Sequence, residues 1–203
     1  MLPVTGAAVL LRRSLARHFA AAVLAVLMAS VCVNGLLIWR VAVLRARLAY
    51  LTEDRILATN AKVLPIVGND LDGKPYTVNY ARSAGPTILY VFSPSCGWCR
   101  RNLRDVRELL RVSSGKYTAV GLSLTRDGLS EYVSASGLPM QFITDIPPST
   151  VMGYRLGGTP QTIVISKSGR VLRNWRGAYG GEVRAEVESY FGVHLPDGVG
   201  TRQ

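Results

Sequence analysis

Histidine and cysteine are scarce in this chain, at two and three residues respectively among 203. A structural zinc site takes four ligands, usually two cysteine pairs or one pair with histidines. Cys96 and Cys99 form one pair, but Cys32 lies in a long apolar run, His18 precedes that run, and His194 is left alone. Ligand counting therefore excludes zinc, and no metal or other cofactor is expected. Acidic side chains are also few, 13 against 24 lysines and arginines, for a formal charge of +11. Such an excess can attract nucleic acid. Eight of the basic residues precede Leu64, however, and from there on sixteen basic side chains face only eleven acidic ones. That modest surplus gives no ground for a nucleic-acid partner. Internal repeats and low-complexity tracts are missing too, which excludes a repeat array.

Charge is absent altogether from Phe19 to Trp39. At 1.5 Å rise per residue this stretch crosses a hydrocarbon core roughly 30 Å thick, and it reads as one transmembrane helix in contact with membrane lipid. Three other readings compete. A cleaved signal peptide has an apolar region of roughly 7 to 15 residues before a small-residue cleavage site, whereas this run is longer and ends in LLIWR. A lipoprotein would carry its lipid on Cys32, yet bulky Val31 precedes it and apolar sequence follows. A buried soluble helix is the third. The LLRRSLARHF segment resembles a twin-arginine export signal only loosely. Arg12, Arg13 and Arg17 on one flank balance Arg40, Arg45, Arg47 and Arg55 on the other, so flanking charge does not set the orientation.

The organisation expected is a cytoplasmic segment over 1–18, the membrane helix over 19–39, a stalk or linker over 40–63, one globular domain over 64–195 and a loose tail over 196–203. In the stalk, Val41, Leu44, Leu48 and Leu51 alternate spacings of three and four, as a short coiled-coil seam would, but the pattern fails at Arg55. Beyond Leu64, IVGNDLDGKPYTV reads as a hairpin on its DG and GKP turn signals. TILYVF is a continuous apolar run, as for a strand buried on both faces. GWCRRNLRDVRELLRV follows, with Leu103, Val106, Leu109 and Leu110 striping one side of a helix. KYTAVGLSL predicts a strand, LSEYVSAS a short helix, and MQFIT a strand running to a turn at Pro147-Pro148. QTIVIS and VLRNWRGAY form a hairpin around KSGR, and GEVRAEVESYF a closing helix. The sum is an α/β sandwich with a mixed central sheet and helices on both faces.

The cysteines of SPSCGWC stand where strand gives way to helix. At a helix start, unpaired backbone N–H groups and the positive end of the dipole favour a thiolate, so Cys96 is read as the reactive sulfur. Cys99, one turn later, is less exposed and less acidic. That asymmetry defines an attacking and a resolving thiol, able to alternate between a dithiol and a Cys96–Cys99 disulfide. Two inert thiols would be expected mid-strand among apolar neighbours.

With these residues in view, the chain from roughly Leu64 to Leu195 resembles the thioredoxin superfamily, and more closely its membrane-anchored TlpA/ResA-like branch. The features that carry the resemblance are the hairpin with DLDGKPY, the strand leading into SPSCGWC, the GGTPQTIVIS segment and SGRVLRNWRG. DGLSEYVSAS and MQFIT fill the place of the helix and strand that this branch inserts. SPSC is also similar to the methylamine-utilisation MauD proteins. The resemblance implies a thioredoxin-like fold and a cis Pro160 facing the cysteines, with Thr159 offering its N–H and C=O to a substrate chain. Trp98 is either a substrate contact or an ordinary aromatic at a helix start. Two departures stand out: the superfamily's buried aspartate six positions before the first cysteine is Tyr90 here, and the ResA-like glutamate three positions after the second is Asn102. A catalytic base is thereby missing, unless Asp105, Glu108 or a water serves.

The function implied is that of a single-pass protein of the inner or cytoplasmic membrane. Its periplasmic or extracellular domain would exchange protein disulfides and dithiols, with reduction the favoured direction. Apocytochrome c or a cupredoxin-like metalloprotein are candidate substrates, which connects the chain to cytochrome c biogenesis, and a membrane thiol carrier is the candidate electron donor. Two other classes stay open. A peroxiredoxin-like thiol peroxidase fits Ser93, three before Cys96, but not Leu89, where such enzymes have proline. A non-enzymatic assembly factor would use the same surface without the thiols.

Overall fold

The computed structural model describes residues 23–45 and 56–196. The chain divides into two units, residues 1–51 and 52–203. In the first, α1 (Val23–Arg45) is a 23-residue helix with a mean hydropathy of 1.9 over its most apolar window, long and apolar enough to cross a membrane by length and composition. It runs past Trp39 through VAVLR, because nothing in that sequence breaks a helix, so the helix outlasts the uncharged run. The expected 1–18 segment with His18, the coiled-coil positions Leu48 and Leu51, and residues 197–203 of the tail lie outside the described residues.

The second unit is built on five strands in the order β5-β4-β3-β6-β7. β3 (Thr87–Phe92) is the centre, and all six of its side chains are buried. It pairs in parallel with β4 (Thr118–Ser123) and antiparallel with β6 (Gln161–Ile165). β5 (Gln141–Ile143) extends the parallel side, and β7 (Val171–Arg176) the antiparallel side. β1 (Ile66–Asn69) and β2 (Pro75–Val78) form a separate antiparallel hairpin. Its turn is made by the Asp70 carboxylate, which accepts from the N–H groups of Asp72 and Lys74, and by Gly73 at a φ of 81°. A left-handed φ of that kind suits glycine.

Strand side chains alternate between faces, and here the alternation divides the core in two. Ile88, Tyr90 and Phe92 pack on the face covered by α2 (Gly97–Ser113), α3 (Leu129–Ser136) and α5 (Gly181–Phe191). Leu89 and Val91 face the opposite way, onto Ile66 and Val78 of the hairpin, Tyr80 of a short 3-10 turn, and Tyr154 and Leu156. Val151 of α4 (Pro148–Gly153) packs on that second face. α4 stands where the sequence reads only a Pro-Pro turn. Proline at the first helical position is preorganised for a helix, but the helix has six residues and buries none of them, so it leaves no apolar stripe to read.

Val106, Leu109 and Leu110 are buried on α2 as the stripe predicts, with Leu103 half-buried. The same face carries four further buried residues that the stripe does not predict, Cys99, Asn102, Asp105 and Ser113. Those polar positions matter for the site.

Candidate functional site

Because β3 and β6 run antiparallel with Val91 opposite Gln161, the chain leaving β3 and the chain entering β6 meet at one end of the sheet. Residues 93–96 lie on one side of that meeting point and Thr159–Pro160 on the other. The Thr159–Pro160 peptide bond is cis. Pro160 is further held by its carbonyl, which accepts from Gly177 N–H at 2.8 Å.

Cys96 is the N-cap of α2, with extended backbone at φ −73° and ψ 112°. Its N–H donates to Ser93 O at 3.0 Å and its carbonyl accepts the first helical bond, from Arg100 N–H, at 3.2 Å. The sulfur occupies the position that an oxygen fills in an ordinary N-cap: Sγ accepts from Cys99 N–H at 3.2 Å. On its other side the thiol donates to the Thr159 carbonyl at 3.5 Å. Cys99 is carried one turn on to the buried face and has no exposed surface. Both thiols are free.

The two sulfurs have opposite acidities. Partial burial on its own would raise the Cys96 pKa, but interactions with the side chains of Cys99 and Thr159 and with the backbone N–H groups of Cys99 and Trp98 outweigh it and hold the thiol below its ordinary value. For Cys99, burial dominates and the hydrogen bond with Cys96 adds to it, so its pKa is pushed up to about 12. Donors to a thiolate favour it and burial opposes it. One sulfur is thus the more readily ionised and the other is held protonated.

Cys96, Cys99, Thr159 and Pro160 come together at this end of the sheet, whereas Trp98 faces water. Its side chain is 61% exposed, with the Arg101 guanidinium 4.8 Å above the ring centroid. Of the carboxylates considered as bases, Asp105 is bound by Arg184 at 2.9 Å and Glu108 by Arg111 at 2.6 Å. Behind Cys99 lie residues the sequence does not mark as functional. Asn102 Oδ1 accepts from Tyr179 N–H at 2.7 Å, tying α2 to the loop before α5. The Tyr179 and Thr162 hydroxyls are 2.7 Å apart. Tyr90 donates to the Cys99 carbonyl at 3.5 Å, and Tyr132 of α3 stacks on Phe92 at 4.6 Å between centroids. The absence of a carboxylate at positions 90 and 102 is the one signal in the sequence for this cluster; Tyr132 reads only as an apolar position of a short helix.

No protein-family model matches the sequence, and no curated protein is similar to it. Solved structures are. The thioredoxin domain of a thiol-disulfide oxidoreductase from Bacteroides vulgatus aligns with a TM-score of 0.56 at 18% identity, over 66% of this chain and 99% of that one. A thiol:disulfide interchange protein of the thioredoxin family from Chlorobium tepidum aligns with a TM-score of 0.52 at 19% identity, over 66% and 97%. The chain has the thioredoxin fold. A secreted disulfide oxidoreductase from Mycobacterium tuberculosis aligns similarly, with a TM-score of 0.52 at 16% identity over 62% of this chain and 93% of that one. At these identities the likeness establishes the architecture. Within the thioredoxin fold, the end of the sheet where β3, α2 and β6 converge is where this chain places its paired thiols and its cis proline.

Proposed function

We propose that the protein is a membrane-anchored thiol-disulfide oxidoreductase whose dithiol, Cys96 and Cys99, exchanges with disulfides of protein substrates. One observation carries this reading: the Cys96 sulfur caps α2, accepts a backbone N–H there and rests against the carbonyl of Thr159, while a second thiol lies buried one turn behind it. The solved structures similar in fold, themselves thiol-disulfide oxidoreductases and interchange proteins, support the same chemistry.

In the reducing direction, the Cys96 thiolate attacks one sulfur of a substrate disulfide. A bond forms between Cys96 and that sulfur, the substrate S–S bond breaks, and the departing sulfur leaves as a thiolate and takes up a proton. Cys99 then gives up its proton and attacks Cys96 Sγ, closing the Cys96–Cys99 disulfide and releasing the second substrate sulfur as a thiol. Two electrons pass from the protein to the substrate; one of the two protons comes from Cys99 and the other from water. Run backwards, the same steps oxidise a dithiol. Thr159 and cis Pro160 present extended backbone beside the nucleophile, where a substrate segment would pair as an added strand, and exposed Trp98 offers it an apolar contact.

In this reading α1 is a single membrane anchor in the inner or cytoplasmic membrane. The dithiol domain lies on the periplasmic or outer side, where protein disulfides persist. A membrane thiol carrier would re-reduce the protein, and an apocytochrome c or a cupredoxin-like metalloprotein would be its substrate, placing it in cytochrome c biogenesis. A Cys99→Ser variant tests the proposal, because it should retain its partner as a mixed disulfide on Cys96, identifiable by mass spectrometry after non-reducing purification. Recovery of no adduct, together with rapid consumption of hydrogen peroxide by the wild-type protein, would assign it instead as a thiol peroxidase. Unchanged cellular activity when both cysteines are serine would assign it as an assembly factor.

A further inference from the structure

Resolution asks most of Cys99. It must lose its proton in a site with no water-exposed surface, and the carboxylates of its own helix, Asp105 and Glu108, are held by Arg184 and Arg111. The groups around it come from several elements. From α2 come Cys96 and, about 9 Å further along the axis at the helical rise, Asp105, which is bound to Arg184. Arg100 is exposed on the same helix. Tyr90 comes from β3, Tyr132 from α3, Thr159 from the loop before β6, and Tyr179 from the loop before α5. Tyr179 is committed to Thr162.

Three donors in this group are not so committed. Asn102 Nδ2 and the Tyr132 hydroxyl are buried and have no hydrogen-bond partner among the described residues. Tyr90 makes a long bond to the Cys99 carbonyl, at 3.5 Å, and lies beside Asn102 and Tyr132, close enough to interact with both. Their positions follow from the fold. Tyr90 and Phe92 share one face of β3 with their rings stacked at 5.9 Å, and Tyr132 stacks on Phe92 from α3. Both tyrosines lie close enough to Cys99 for its charge to oppose their ionisation. A buried donor without a partner is costly, so each instance calls for an explanation. Here two such donors, with the weakly bonded Tyr90 phenol beside them, stand behind the one sulfur that must become an anion.

We propose that Tyr90 and Tyr132, with Asn102, are positioning residues for Cys99, forming a pocket of neutral donors that receives the charge of its thiolate during resolution. This deepens the oxidoreductase reading and rests on it. In the mixed disulfide the Cys99 proton passes to the substrate sulfur released as a thiolate in the first step, and the second substrate sulfur departs as the Cys99–Cys96 bond forms and takes its proton from water. The negative charge left on Cys99 is met by phenol and amide N–H and O–H groups until the new S–S bond forms and removes it. Burial holds the Tyr90 phenol well above its usual range, with the neighbouring Tyr132 and Cys99 adding to the effect. The tyrosines therefore stay protonated donors throughout the working pH range, and their help does not titrate away as a carboxylate's would.

Stopped-flow reaction of the full chain in detergent with 5,5′-dithiobis(2-nitrobenzoate) separates the steps. Cys32→Ser is the background, so that the exposed thiol of α1 does not report. Cys96 attack releases the first thionitrobenzoate, and Cys99 resolution releases the second. With a hydrogen bond to a charged group removed, Tyr90→Phe should slow the second phase about tenfold and move its pH midpoint up by about one unit, leaving the first phase unchanged. Tyr132→Phe should act in the same direction and decides the matter if Tyr90→Phe fails to fold. An unchanged second phase in both variants, or equal slowing of both phases, overturns the proposal while leaving the oxidoreductase reading intact. Absence of any second phase in the wild-type background overturns both.

Discussion

Asp105 sits on the buried face of α2 with its side chain 6% exposed, and its charge is answered by Arg184 at 2.9 Å. Burial raises its pKa above the ordinary carboxylate value even though Arg184 works against that. Arg184 also donates to the carbonyls of Leu195 and Pro196, so the pair pins the end of the domain to α2. Removing one partner of a fully buried pair costs about 3–5 kcal/mol. Arg184 keeps 20% of its side chain exposed, so Asp105→Ala should cost less, about 2 kcal/mol, read as a lowered thermal midpoint with thiol exchange preserved. Loss of exchange at full stability would instead make Asp105 the missing base. The two cysteines show the same dependence on position. An identical side chain becomes acidic where α2 leaves its N–H groups open and resists ionisation one turn later, where the core closes over it.

β3, α2 and the β1–β2 hairpin were legible because their sequences carry one signal each: an unbroken apolar run, a stripe of three- and four-residue spacing, and an Asp-Gly turn. α4 carried none, since it buries nothing. The burial of Asn102 and Asp105 was illegible for a different reason. A polar residue on the inner face of a helix is indistinguishable in sequence from one on a helix end until its partner, here the Tyr179 N–H or the Arg184 guanidinium, is brought across by the fold. Gly121 of β4 shows how tightly the parallel edge is fitted, because a Cβ there would meet the Phe142 ring at 2.6 Å. Gly121→Ala should therefore destabilise the domain by about 1–3 kcal/mol through overpacking. Phe142→Leu in the same chain should restore part of the loss in thermal unfolding. No loss in the single variant would mean that β4 and β5 pack less closely than described.

The whole molecule carries a helix able to span a membrane and a thioredoxin fold with two thiols of opposite acidity at the meeting of β3, α2 and β6. Sequence pattern sufficed to find the paired cysteines and, through resemblance, the proline opposite them. It also anticipated that Cys96 is the more acidic sulfur, from its place at a helix start, but it could not supply the donors gathered behind Cys99, because they depend on what the fold buries. The account rests on the opposite acidities of the two sulfurs. Iodoacetamide labelling of the reduced full chain across a pH series, read residue by residue by mass spectrometry, measures it directly. Cys96 should alkylate with a midpoint below the ordinary thiol value of about 8.5, while Cys99 stays unlabelled until far higher pH. If Cys96 and Cys99 instead label together, with a shared midpoint near that ordinary value, the account is contradicted.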